Sequence, residues 1–314
     1  MSGAEERRPT LNHRLEILLF RLIRAMVSLV PESVAARLAV ALGWLAGSVL
    51  RIRRRDVDRH LALAFPELSA RARARIARAS YAHLAREGVV LFRLGGWSRE
   101  RVLERTSVSG LDAVVRALDT AGGALLLSGH LGNWEVGGAA LAARGVPLDA
   151  VVKGMANQDF EQEVFRARDG LGVRIVEMSD APRQVLKSLR RGRAVAIAGD
   201  QNAHRNGVFV PFFGRLAATA RGPAMFALRS EVPVFLTFAT RLPGWRQTYE
   251  VRIAPLPVHR SGDRERDVAT FTAAYVRGVE DAVRQHPDQY LWQHKRWKTR
   301  PTEEPVRGSV GTNP

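Results

Sequence analysis

The chain has 314 residues, enough for one large domain with appendages or two modest ones. Hydrophobic residues make up 46%, so a substantial core can form, and the absence of cysteine excludes disulfides, thiolate metal sites and cysteine nucleophiles. The formal net charge of +17 favours acidic partners, among them anionic lipid, a phosphorylated substrate, an acidic carrier protein or nucleic acid.

Residues 1–16 read as a polar N-terminal segment, with 1–10 expected to be disordered. From Ile17 to Val30 the pattern is amphipathic. Arg14, Arg21, Arg24 and Ser28 share one side of a helical wheel and apolar residues fill most of the rest. A basic stripe opposite a wide apolar face is the pattern of an interfacial membrane helix, with an ordinary surface helix as the alternative. Pro31 interrupts it. Leu38 to Leu50 then carries no charge but falls short of the ~20 residues of a membrane span. Arg51, Arg53, Arg54 and Arg55 follow, and such a cluster stays on the cytoplasmic side. Residues 17–55 are therefore expected to form membrane-associated helices that either span the bilayer or lie on it. The apolar region begins too late and carries too many arginines for a signal peptide.

Residues 56–105 read as an arginine-rich helical segment packing on the domain that follows, broken at Pro66. From residue 106 to 301 short β-like runs alternate with helical stretches. The pairs are Ala124–Ser128 with Asn133–Arg144, Asp149–Val152 with Asp159–Arg168, and Val173–Met178 with Pro182–Arg190. Ala194–Ala198 is then followed by a long loop, and Ala218–Arg229 by a strand over Val232–Ala239. Tyr249–Ile253 reads as a later strand and Arg266–Gln285 as a final helix. This alternation predicts an α/β domain with a central mostly parallel or mixed sheet. The tail over 302–314 is rich in Pro, Gly, Ser and Thr and is expected to be disordered.

The strand at Ala124–Ser128 delivers His130-Leu131-Gly132-Asn133-Trp134-Glu135, an H-x4-E pattern. Residues five apart on one helix point roughly 140° apart. The pair can therefore meet only if His130 sits in the loop and Glu135 in the first helical turn. Gly129 and Gly132 allow the turn, Asn133 is a candidate N-cap, and Gly145 a stop. A histidine with a carboxylate partner is the minimum equipment for deprotonating an alcohol near neutral pH. The helix N-terminus is expected to keep His130 neutral. Ser128 is not in a G-x-S-x-G elbow and no H-E-x-x-H zinc pattern is present.

Gly199-Asp200-Gln201 ends a second apolar strand. In open α/β sheets ligands bind beyond the strand carboxyl ends, so His130 and Asp200 are expected to line one pocket. Gly207 to Gly214, with Phe212 and Phe213, reads as an apolar loop, either core or a wall for an apolar ligand. Thr219 to Gly222 opens a helix whose N–H groups can meet an anion or oxyanion. Lys153 and Asn157 follow a short strand, and Arg166 and Arg168 lie on the next helix. Tyr290 to Pro301 interleaves aromatics with cations, which suits a membrane interface or single-stranded nucleic acid. His286 and His294 have no accompanying carboxylate cluster that would make them metal ligands.

Together these motifs resemble the late acyltransferases of lipid A biosynthesis, the lauroyl/myristoyl type, within the H-x4-D/E acyltransferase superfamily. The resemblance rests on His130 to Glu135, Gly199-Asp200-Gln201, Gly207 to Gly214 with Ala218-Thr219, and Tyr290 to Pro301. It implies a glycerolipid-acyltransferase-like α/β fold at the cytoplasmic face of a bacterial inner membrane. It further implies transfer of an acyl chain from acyl carrier protein, or acyl-CoA, to a hydroxyl of a phosphorylated lipid A precursor. His130 would be the general base and Glu135 its partner. Asn133, Lys153, Asp200, Gln201, Phe212, Phe213 and Thr219 would contact substrate, and neither metal nor cofactor is required. The resemblance implies acyl carrier protein and anionic lipid as partners, and not nucleic acid. Lys153 stands where many members have arginine and Gly199 where proline is common, departures that bear on the acceptor. The alternatives are another acceptor lipid (a phosphatidylinositol mannoside, an aminolipid or a lysophospholipid) or, more remotely, a non-enzymatic basic protein binding membrane or nucleic acid.

Overall fold

A computed structural model describes residues 11–154 and 170–301. The segment 1–10, the helix expected over Asp159–Arg168 with Asn157, Arg166 and Arg168, and the tail beyond 301 lie outside the described residues.

The chain opens with α1 (Leu11–Leu29) and α2 (Glu32–Trp44), the latter prolonged by a π-type turn over Leu45–Val49. α2 buries its small side, Ala35, Ala36, Ala39 and Gly43. A Cβ at Gly43 would stand 2.5 Å from the Tyr81 carbonyl oxygen, so glycine is what lets the helices meet. The large apolar residues face outward instead. Leu18, Leu22, Met26 and Leu29 on α1, and Leu38, Leu42 and Trp44 on α2, are all exposed. Small residues inside and large apolar ones outside reverse the pattern of a soluble surface helix. The stretch Glu32–Val49 is long and apolar enough to cross a membrane by length and composition, and only 28% of it is buried.

Three helices follow: α3 (Arg54–Ala64), α4 (Ala70–Leu94) and α5 (Arg99–Arg105). The α/β part contains β1 (Thr106–Ser109), α6 (Leu111–Ala121), β2 (Ala124–Ser128), α7 (Trp134–Ala143), β3 (Leu148–Val152), β4 (Val173–Glu177), α8 (Ala181–Leu189) and β5 (Ala194–Ala198). It continues with β6 (Val208–Phe212), β7 (Arg215–Thr219), α9 (Gly222–Arg229), β8 (Val234–Arg241), β9 (Tyr249–Pro255) and α10 (Arg264–Gln285). Seven strands form one mixed sheet in the order β1-β9-β8-β2-β5-β3-β4. The five from β8 to β4 are mutually parallel, and β9 and β1 run the other way. β2 is central and reads Ala-Leu-Leu-Leu-Ser because both of its faces are covered. Leu125 and Leu127 join the core under α8, α9 and α10, and Leu126 joins the core under α5, α6 and α7.

Two sequence expectations are corrected. Gly207 to Gly214 is not a loop. Val208–Phe212 pairs antiparallel with Arg215–Thr219, so Ala218 and Thr219 belong to a strand and the helix begins only at Gly222. Phe213 (φ 50°) and Gly214 (φ 69°) form the two-residue turn, both in the left-handed region that type I′ hairpins need. The segment Tyr290 to Trp297 is not an aromatic surface either. Tyr290, Trp292, Arg296 and Trp297 are buried, and they stack on the hairpin. Phe212 lies 5.4 Å from Trp297, and Phe213 lies 6.1 Å from Trp292 and 5.2 Å from Phe65. Interleaved cations misled the pattern because Arg296 is itself interior, donating to the Ala218 carbonyl (2.6 Å) and to Thr219 Oγ1 (2.5 Å).

A buried polar network ties α4 to the sheet. Arg241 Nε donates to Glu87 Oε1 (2.5 Å), and Tyr249 Oη donates to Glu87 Oε2 (2.8 Å) while accepting from Arg241 Nη2 (2.6 Å). Burial would push the Glu87 carboxyl up, but Arg241 and His83 outweigh it and hold it below the ordinary range. Removing one partner of such a pair strands the other charge, so Glu87→Ala should destabilise the fold by about 3–5 kcal/mol. The thermal unfolding midpoint of the detergent-solubilised protein checks this, and a midpoint unchanged from wild type would refute it.

Candidate functional site

The site is built by strand register. β2 and β5 pair in parallel with Ser128 opposite Ala198. Two residues beyond each strand end stand His130 and Asp200. His130 Nδ1 lies 2.6 Å from Asp200 Oδ1, and the His130 backbone N–H donates to Asp200 Oδ2 at 3.0 Å. One carboxylate thus fixes both the ring and the main chain of the histidine. The approach is tight at Gly129, where a Cβ would stand 3.2 Å from Asp200 Oδ2 and 3.0 Å from Val279 Cγ1. Gly132 is more strictly constrained. Its φ is 64° and a Cβ would lie 1.9 Å from the Ala239 carbonyl oxygen.

Sequence reasoning paired His130 with Glu135; the structure sets Asp200 against His130 Nδ1. Glu135 sits in the first turn of α7 and lines the same cavity as His130. Asn133 is the N-cap, accepting from the Val136 N–H at 2.9 Å and donating to Glu87 Oε2 at 2.7 Å. It is buried and holds the loop to α4. Lys153 and Gln201 line the cavity. Phe212 and Phe213 do not line it, because they are buried in the aromatic cluster described above, and Thr219 is buried against Arg296.

The cavity of about 290 Å³ runs from His130, Trp134 and Glu135 down between α7 and the sheet. Its walls are small where helix faces sheet, at Gly137, Gly138, Ala150, Ala196 and Ala239, and apolar at its far end, at Leu141, Leu148, Leu171 and Val173. An apolar cleft with a few polar groups at one end suits a chain-like apolar ligand with a reactive head.

Several residues missed in the sequence complete the site. Tyr275 on α10 donates to the Ser128 carbonyl (2.5 Å) and accepts from the Gly199 N–H (2.9 Å), tying together the ends of β2 and β5. The segment after α10 holds both loops. The Leu291 N–H donates to the His130 carbonyl (3.0 Å), the Gly132 N–H to the Gln289 carbonyl (3.0 Å), and the Asn202 N–H to His294 Nε2 (2.9 Å). His294 is therefore a neutral acceptor; burial pulls its pKa down to about 4. Only the histidine and tyrosine residue types hinted at these roles, because their partners are remote in sequence.

The electrostatics correct one more expectation. Burial pulls the His130 pKa down, but the Asp200 charge and hydrogen bond outweigh it, so His130 titrates above its ordinary 6.5 despite the adjacent helix N-terminus. Asp200 is opposed by burial but held to about 2, chiefly by His130. The signs follow by linkage. Stability from ionised Asp200 is full above 3.8 and lost as pH falls through about 2, whereas the contribution of protonated His130 is full below 6.5 and lost as pH rises through its folded value. Replacing Asp200→Asn should lower the His130 midpoint, read by NMR of the ring protons across pH. An unchanged midpoint would mean that the pair does not set the charge of His130.

The family model described as bacterial lipid A biosynthesis acyltransferase matches residues 6–299. The lipid A biosynthesis palmitoleoyltransferase of Escherichia coli (strain K12) is 28% identical over 280 residues, covering 87% of this chain and 88% of that protein. The lipid A biosynthesis lauroyltransferase of the same organism is 28% identical over 290 residues, covering 90% and 91%. A phosphatidylinositol mannoside acyltransferase of Mycolicibacterium smegmatis is 29% identical over 162 residues, covering 50% and 53%.

Proposed function

This chain belongs to the bacterial lipid A biosynthesis acyltransferase family, and we propose that it moves a fatty acyl group from an acyl carrier protein or CoA thioester to a hydroxyl of a lipid A precursor. The observation that carries the reading is a carboxylate-held histidine at the mouth of an apolar cleft.

Asp200 accepts a hydrogen bond from the Nδ1–H of neutral His130, which leaves the Nε2 lone pair to accept a proton. The acceptor hydroxyl gives its proton to Nε2 as its oxygen attacks the thioester carbonyl carbon. The tetrahedral oxyanion collapses, the carbon–sulfur bond breaks, and the imidazolium returns the proton to the departing thiolate. The N-terminus of α7 supplies positive potential beside the reacting carbonyl. Glu135, within the same cavity, orients the incoming hydroxyl. The acyl chain lies along Gly138, Leu141 and Leu148. The outward leucines of α1 and α2 seat the enzyme on the inner membrane, with the arginines after Leu50 toward the cytoplasm.

The test is acyl transfer to a lipid A precursor by purified protein, followed by mass spectrometry. His130→Ala should lose on the order of 10²-fold or more in rate, and Asp200→Asn should lose rate with its acidic pH limb moved down. Wild-type rate retained in His130→Ala would remove the proposed base. A side chain at Gly138 would enter the cleft near Leu148 Cδ2, 3.6 Å from the Cβ position. Gly138→Leu should therefore shift donor preference to shorter chains, at about 0.8 kcal/mol per methylene excluded. Competition between donors of different length checks this, and an unshifted preference would place the chain elsewhere.

A further inference from the structure

The loop between β8 and β9, Leu242 to Thr248, carries an apolar tip. Leu242, Pro243, Gly244 and Trp245 are exposed in succession, Leu242 by 37% and Trp245 by 45%. The tip is nevertheless fixed to the body. The Leu242 N–H donates to the Thr248 carbonyl (2.9 Å), Arg86 Nη2 on α4 donates to the Gly244 carbonyl (2.6 Å), and the Gln247 N–H donates to Glu32 Oε1 at the start of α2. An indole presented on a backbone already held in place costs little further ordering when it meets a partner.

Two guanidiniums flank that indole. Arg37 stands 5.5 Å and Arg86 5.6 Å from the Trp245 ring centroid. Arg37 belongs to the outward side of α2, where Val34, Leu38 and Leu42 follow one another at four-residue spacing and are 41–61% exposed. The loop therefore prolongs the exposed apolar strip of α2. Contiguous apolar surface of this kind marks contact with a membrane or a protein. The chemistry here favours lipid, because an indole at the border between apolar side chains and cations suits a headgroup boundary, and guanidiniums beside it can pair with lipid phosphate. Topology ties this surface to the site. β8 runs parallel to β2, so both strands end at one edge of the sheet. The Ala239 carbonyl, three residues before Leu242, accepts from the Asn133 N–H of the His130 loop (2.8 Å).

We propose that the β8–β9 loop is a second membrane contact, in which Trp245 and Leu242 enter the headgroup boundary of an anionic bilayer and Arg37 and Arg86 pair with lipid phosphates. This contact presupposes the membrane seat proposed for α1 and α2 and adds one on the α/β part of the chain. A helical seat alone leaves the tilt of that part open. A second contact at the sheet edge fixes it and holds the edge that carries His130 against the bilayer surface.

The experiment reconstitutes the full chain in nanodiscs of phosphatidylethanolamine and phosphatidylglycerol, with ordinary or brominated acyl chains, and reads tryptophan emission. Subtracting the spectrum of Trp245→Phe from that of wild type isolates Trp245. Trp44→Phe does the same for Trp44, which is 54% exposed on α2 and reports the helical seat. Both rings are exposed, so phenylalanine should leave the fold intact, and an unchanged thermal unfolding midpoint checks this. The expected result is that brominated lipid removes most of the Trp245 emission. The loss should shrink when phosphatidylcholine replaces phosphatidylglycerol and in Arg37→Gln, but not in Arg183→Gln, on α8 near the opposite edge of the sheet. Quenching of Trp44 without quenching of Trp245 overturns the loop contact and leaves the seat on α1 and α2 standing. Equal quenching of Trp245 in phosphatidylcholine overturns the assignment to anionic lipid. Trp245 emission that ignores brominated lipid and responds to added acyl carrier protein overturns it in favour of a carrier contact. A chain that does not enter the discs, or in which neither ring is quenched, ends the membrane seat itself and the loop contact with it.

Discussion

The parallel register of β2 against β5 is the constraint on which the site depends. Two strands end level with each other, and the second residue past each end is His130 on one and Asp200 on the other. A slip of one residue would turn both inward-facing side-chain sets over and separate the pair. The register is protected from several directions. The buried leucines of β2 leave no alternative face, Tyr275 bonds to both strand ends at once, and Gly129 admits the carboxylate at contact distance.

The loops beyond those strands are held by the last described segment, after α10. Gln289, Leu291 and His294 each take one hydrogen bond to the 130–132 or 200–202 loop, and Arg296 pins the end of the β6–β7 hairpin. The aromatic residues between these contacts bury against Phe212, Phe213 and Phe65, so burial of large rings drives the docking. On the opposite side, Asn133 bridges the N-terminus of α7 to Glu87. A helix cap and a buried ion pair thereby become one structure.

The molecule divides its surface by chemistry. Large apolar side chains leave the body on α1 and α2, where small residues have taken the inward positions. An apolar cleft enters between α7 and the sheet because glycine and alanine at the facing positions leave side-chain volume unfilled. A base at the mouth of an apolar cleft, on a body whose first helices turn large apolar side chains outward, supports the proposed reaction on an acyl-bearing amphiphile.

By itself the sequence determined the elements whose signal is local. The limits of β2 and β5, the N-cap at Asn133 and the helix that follows it, and the alternation that makes an α/β sheet were all legible, because apolar runs and capping residues act over a few positions. It also placed His130 and Asp200 at strand ends, and the motif order carried the family resemblance that the full-length match supports. It named Glu135 as the partner of His130 because the two are close in the chain. Only the tertiary structure set Asp200 against the ring, since strand pairing brings together residues 70 positions apart. The β6–β7 hairpin hid behind a phenylalanine in a left-handed turn, where sequence rules look for asparagine or glycine. The aromatic and basic segment at 290–297 read as surface because its buried arginine finds its hydrogen-bond acceptors in carbonyl and hydroxyl groups distant in sequence, and no local pattern records a partner that only folding supplies.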